Sequence, residues 1–112
     1  MKYAIPVTGG VLSAHFGHCE QFALIDTDEQ NKKVIKKELV PSPVHQPGLL
    51  PKWLAEKGAN AVIAGGMGAN AQSLFQQSGI KVILGAPTDD PEKIVNSYLG
   101  GNLVTGENIC DH

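Results

Sequence analysis

Hydrophobic positions divide the chain into two kinds of segment. Tyr3-Ala4-Ile5-Pro6-Val7 is an apolar run that predicts a strand over Lys2 to Val7, with Pro6 expected to bend or end it. Thr8-Gly9-Gly10 breaks the run, and Val11 to Cys19 reads as a loop. Gln21 to Asp26 mixes aromatic and aliphatic residues and predicts a second strand. After the polar turn Thr27-Asp28-Glu29-Gln30-Asn31, Val34 to Val40 predicts a third, so strands two and three form a hairpin. Pro41 to Gly48 holds three prolines and cannot be helical. Leu49, Leu50, Trp53 and Leu54 then recur at helical spacing, with Pro51 tolerated in a first turn and Gly58 ending the helix.

Beyond Gly58 the pattern alternates. Ala61 to Ala64 is a short apolar strand and Gly65-Gly66-Met67-Gly68 a tight turn. Ala69 to Gln77 is a helix ending near Gly79, and Ile80 to Leu84 a further buried strand. Gly85 to Thr88 is a loop, and Asp89 or Asp90 caps a helix that starts at Pro91, runs to Leu99 and stops at Gly100-Gly101. Asn102 to His112 has no periodicity and reads as a flexible tail. Strands joined through helices should be parallel with right-handed crossovers, while the first three form an antiparallel meander. An α/β fold with a mixed five-stranded sheet of order 3-2-1-4-5 and helices on its faces meets both demands.

A length of 112 residues holds one core, so residues 1–112 are expected to form a single domain. The 9 basic and 11 acidic residues give a net charge of −2 without a basic stripe, which leaves nucleic-acid binding without electrostatic support. The longest apolar run is too short to span a bilayer, so no membrane role is expected. The first residues lead straight into a strand and lack a secretory pattern, so the expected compartment is cytoplasmic and reducing. There Cys19 and Cys110, far apart in sequence, are expected to be free thiols.

The strand directions gather four loops at one rim: Thr8 to Cys19, Pro41 to Gly48, Gly65 to Gly68 and Gly85 to Thr88. Open α/β sheets bind ligands at the carboxyl ends of their strands. The first loop carries His15-Phe16-Gly17-His18-Cys19. Imidazole suits zinc, copper and iron, and thiolate suits copper(I), zinc and iron–sulfur clusters. Singly, Cys19 is explained as a small buried hydrophobe and the histidines as solvated loop residues. As a set within five residues they form a compact group of soft donors, and Gly17 allows close backbone approach. His45, between two prolines on the same rim, reads as a surface histidine when taken alone and as a further donor when taken with the set.

Gly65 to Gly68 exposes backbone N–H groups before a helix start, a setting for an anion such as phosphate, an oxyanion or a metal–sulfide cluster. It lacks the Lys-Ser/Thr ending of a P-loop and the dinucleotide-binding spacing. Met67 offers a thioether or simply packs. Cys110 and His112 either complete a metal site or belong to an appendage. No HExxH, CxxC or GxSxG pattern occurs, and no carboxylate stands beside His18 in sequence to support it as a base. The chain therefore reads as a binding or carrier protein rather than an enzyme. An alternative is a regulatory module whose rim, through residues such as Trp53 or Phe16, docks a cluster-handling ATPase.

At these residues the chain resembles the nitrogenase iron–molybdenum cofactor biosynthesis proteins. The resemblance rests on Pro6-Val7-Thr8, on His15 to Cys19 followed by Phe22, and on Gly65 to Gly68 followed by Ala71, Leu74 and Phe75. Gly79-Ile80-Lys81-Val82 extends it. The His45 loop with Leu50, Pro51, Trp53 and Leu54, and the Cys110-Asp111-His112 ending, look like stand-alone members similar to the orange protein, which holds a molybdenum–copper sulfide cluster. The resemblance implies a ribonuclease H-like fold and a cargo of iron–molybdenum precursor or molybdenum–copper sulfide. It implies cofactor contacts from Thr8, Phe16, Gly17, Gly65, Gly66, Met67 and Gly68. It places His15, His18, Cys19, His45, Cys110 and His112 toward the metal, as contacts or ligands. Ribonuclease chemistry does not follow, since it needs clustered carboxylates and Lys2 to Val7 has none.

Overall fold

Side chains of successive strand residues point to opposite faces, and this alternation divides the core in two. In the computed structural model, which describes residues 1–13, 20–42 and 49–101, the first strand β1 spans Lys2–Thr8 and is buried from Tyr3 to Val7. Its odd residues Tyr3, Ile5 and Val7 join Ala23, Ile25, Ala61 and Ile63 on one face. Its even residue Ala4 joins Phe22, Leu24 and Val62 on the other. A strand buried on both faces reads as a continuous apolar run, which is why β1 lacks the alternation of a half-exposed strand.

The remaining strands are β2 (Val11–Leu12), β3 (Gln21–Asp28), β4 (Lys33–Pro41), β5 (Ala61–Ile63) and β6 (Lys81–Ile83), and the helices are α1 (Leu49–Glu56), α2 (Ala69–Gln77) and α3 (Pro91–Leu99). The sheet order is β4-β3-β1-β5-β6, with β2 beside β1. β3 lies antiparallel to β1 and to β4, whereas β5 is parallel to β1 and to β6. Leu50 and Leu54 of α1 and Phe75 of α2 cover one face. Ile94, Val95 and Leu99 of α3 cover the other. The N-cap of α3 is Asp90, whose Oδ2 accepts from the Lys93 N–H at 3.3 Å, with Pro91 in the first turn. None of the described helices is long and apolar enough to cross a membrane.

Three features differ from the expectation. The five strands are joined by a sixth, β2, in a stretch expected to be loop: Thr8 pairs with Val11 and Val7 with Leu12. Gly9 and Gly10 take φ of 64° and 84°, so they form the two-residue left-handed turn that matches strand twist. β1 also runs through Pro6 to Thr8 rather than stopping. Pro6 has no N–H to give, but its carbonyl accepts from the Ser13 N–H at 2.8 Å. Finally, β6 is an edge strand. Lys81 is exposed and Val82 and Ile83 are half-buried, so this short apolar run is not covered on every side.

Candidate functional site

Because β1, β4, β5 and β6 point the same way, the segments that follow them emerge at one rim of the sheet, where β3 begins. Backbone hydrogen bonds stitch these segments into a band. On one side, Gly85 N–H donates to Gly65 O (3.1 Å) and Ala86 N–H to Ala64 O (3.2 Å). The segment then turns to β2, where Leu12 N–H donates to Asp89 O at 2.9 Å. Ser13 N–H and Glu20 N–H, on either side of residues 14–19, donate to the consecutive β1 carbonyls of Pro6 (2.8 Å) and Val7 (3.0 Å). Glu20 O in turn accepts from Ser42 N–H at 3.1 Å, and Ser42 immediately precedes residues 43–48. Four loops distant in sequence are thus tied to one edge.

Glu20 is a residue that sequence reasoning missed. Besides its two backbone bonds, its Oε1 accepts from the Gly9 N–H at 3.0 Å, so its carboxylate holds the β1–β2 turn. Its position directly after Cys19 and before the second strand was the available signal.

The expected site residues divide into two groups. Thr8 is exposed at the end of β1. Gly65 and Gly66 are buried, and Gly65 offers its carbonyl to Gly85. Met67 is 1% exposed and belongs to the apolar cluster with Leu54, Val62 and Phe75, while its carbonyl accepts from Gln72 Nε2 at 2.9 Å. Its side chain is part of the core. Gly68 is exposed and caps α2 with extended backbone (φ −68°, ψ 158°) and no side-chain capping bond. A side-chain carbon at Gly68 would meet nothing within 4 Å. The start of α2 carries the positive end of its dipole with no acidic residue in its first turn. His15, Phe16, Gly17, His18, Cys19, His45, Cys110 and His112 lie outside the described residues. Among the described residues no group of three or more His, Cys, Asp or Glu could hold a metal ion.

The shifted acids lie at the opposite end of the sheet. Burial pushes the Tyr3 hydroxyl up to about 12, with Glu29 and Tyr98 adding to it. The Asn31 side chain and backbone hold the Asp28 carboxyl below its usual range, helped by the Gln30 N–H.

Comparison with known proteins covers nearly the whole chain. The family described as dinitrogenase iron-molybdenum cofactor (Nitro_FeMo-Co) matches residues 1–101. Protein MJ0580 of Methanocaldococcus jannaschii is 33% identical over 108 residues, covering 92% of this chain and 89% of that protein. Among solved structures, PH0822 superposes with a TM-score of 0.85 at 29% identity, with 94% of each chain covered. The apo form of the orange protein from Desulfovibrio gigas shares the fold, with a TM-score of 0.76 at 22% identity over 96% of this chain and 93% of that one. With 101 of its 112 residues matched and a relative 33% identical across most of both lengths, the chain belongs to the dinitrogenase iron-molybdenum cofactor family.

Proposed function

We propose that this protein carries or scaffolds a metal–sulfur cluster, a sulfide of molybdenum with iron or copper, at the carboxyl-end rim of a ribonuclease H-like sheet. It does so as a binding protein in metal cofactor biosynthesis and catalyses no reaction. The observation that carries the reading is the anchoring of residues 14–19. Ser13 and Glu20 bond to adjacent β1 carbonyls, so the segment holding His15, His18 and Cys19 leaves and rejoins the sheet at one point. The segment holding His45 starts one hydrogen bond away, at Ser42. Family membership supplies the class of guest.

The start of α2, capped by Gly68 and without an acidic residue in its first turn, has the polarity that favours an anionic sulfide guest. Soft donors to the metal would come from His15, His18 and Cys19, with His45 and the Cys110–His112 ending as further contacts. Phe16 and Gly17 would line the same segment beside Thr8. A guest held by loops rather than by a closed cage suits transfer to another protein.

Anaerobic reconstitution with molybdate, sulfide and copper, followed by desalting, tests this reading. Wild type should retain a visible chromophore that the His15→Ala/Cys19→Ala double variant loses. A colourless wild type, or equal colour in both proteins, would overturn it.

A further inference from the structure

We infer that β4 is an open sheet edge that the charged run Lys36-Lys37-Glu38 keeps from pairing with a second copy of this chain. The inference is independent of any guest. β4 ends the sheet order, pairs with β3 alone and is 9 residues long, more than a typical strand. Among the described residues three large apolar side chains are exposed, and two of them stand on β4: Ile35 at 68% and Leu39 at 48%. A long edge with exposed aliphatic residues is a template for strand addition, so what opposes addition here is informative.

The hydrogen-bond alternation fixes which groups are open. Ser42 N–H donates to Glu20 O at 3.1 Å, one step beyond the Pro41–Gln21 pair. Antiparallel pairs alternate between bonded and unbonded, so Val40, Glu38 and Lys36 bond to β3, while Lys37, Leu39 and Pro41 turn their backbone to the open side. Pro41 has no N–H. Ile35 has no partner in the β3–β4 register, which shifts between Asp26 and Thr27, so the edge is broken there. In the unbroken stretch from Lys36 to Pro41, both a donor and an acceptor are open only at Lys37 and Leu39. Each two-fold antiparallel pairing of two such edges then meets an obstacle. Centred on Glu38, it satisfies Lys37 and Leu39 but sets Glu38 directly against Glu38 of the copy. Centred on Lys37, it sets lysine against lysine and needs the broken Ile35 position to bond with Leu39. Centred on Leu39, it places Lys37 opposite the proline and Glu38 against Val40. Like charges directly opposite one another destabilise a strand pair, and a lysine-rich edge resists addition.

Lys36→Thr/Glu38→Thr removes two of the charges and leaves the ion pair between Lys37 Nζ and Asp90 Oδ1 (3.8 Å) in place. Both positions are exposed, so far-ultraviolet circular dichroism should match wild type. Analytical ultracentrifugation over a concentration series reads the outcome. Wild type should sediment as a single chain of 11.8 kDa. The double variant should self-associate about tenfold more strongly and move toward twice that mass, and Glu38→Thr alone should move the same way by about twofold to fivefold. Adding Leu39→Pro to the double variant removes an outward N–H without touching a β3 bond, and should return it to the mass of one chain. Two results would overturn the inference: variants that associate no more strongly than wild type, or association that survives Leu39→Pro and so does not use this edge.

Discussion

Tyr3 shows how one buried side chain writes itself into the pH dependence of the fold. It is 1% exposed, packs edge-on against Tyr98 with ring centroids 5.7 Å apart, and has its hydroxyl pushed from 10.0 up to about 12, chiefly by burial. The folded state therefore holds this proton more tightly than the unfolded chain. The resulting stability is complete below pH 10 and is lost as pH rises through the folded value, a change on the order of 2 kcal/mol. Urea midpoints read by Trp53 fluorescence should fall between pH 10 and 12 in wild type and fall less in Tyr3→Phe. Met67 makes the complementary case. Its thioether was legible as a soft donor or as packing, and residue type alone offers no way to choose. Burial at 1% among Leu54 and Phe75 comes from tertiary neighbours that no local window contains. Met67→Leu should cost less than about 1.5 kcal/mol and leave chromophore uptake intact, whereas Met67→Ala should cost about 2–5 kcal/mol. Loss of uptake in a well-folded Met67→Leu protein would make the sulfur a contact.

At the scale of elements, the parts legible in sequence were those with a physical signature longer than a turn. α3 begins at Pro91 behind a capping aspartate, and α2 ends before the left-handed Gly79, as cap chemistry demands. β2 was not legible as a strand, because two residues carry no periodicity. The only sign was Gly9-Gly10 between strand formers, a hairpin signal read as a break. The exposure of β6 was also hidden, since an apolar run does not say how many of its sides are covered. The glycines differ in why alanine costs stability. Gly10→Ala forces a side chain into φ of 84° and should lower stability by about 1 kcal/mol. Gly68→Ala, with open space around it but at the N-cap of α2, should lower stability by about 0.5–1 kcal/mol in the same denaturation assay, because alanine is a poorer N-cap than glycine. Asp90→Ala removes the α3 cap and should cost about 1 kcal/mol.

The whole molecule has two dissimilar ends. One carries the β3–β4 hairpin, where Asp28 accepts from Gln30, Asn31 and the Asn31 side chain, together with the Met1–Thr27 backbone pair. Its chemistry is structural: the lowered Asp28 pKa means that hairpin stability is present above the usual carboxylate range and is lost as pH falls through the folded value. The other end is the rim, bound by the backbone band from Gly65 through Gly85, Asp89, Leu12 and Glu20 to Ser42. Strand direction made this gathering legible before any side chain was placed. Which donors face a guest was not, because that depends on loop conformation in segments outside the described residues. Amide chemical shifts of the protein before and after loading with molybdate, sulfide and copper test the central claim most directly. The account predicts that Gly9, Gly10, Gly65 to Gly68, Gly85 and Ala86 shift together while residues 28–33 and 57–60 stay fixed. Shifts centred on the hairpin end, or none at the rim in a loaded protein, would contradict it.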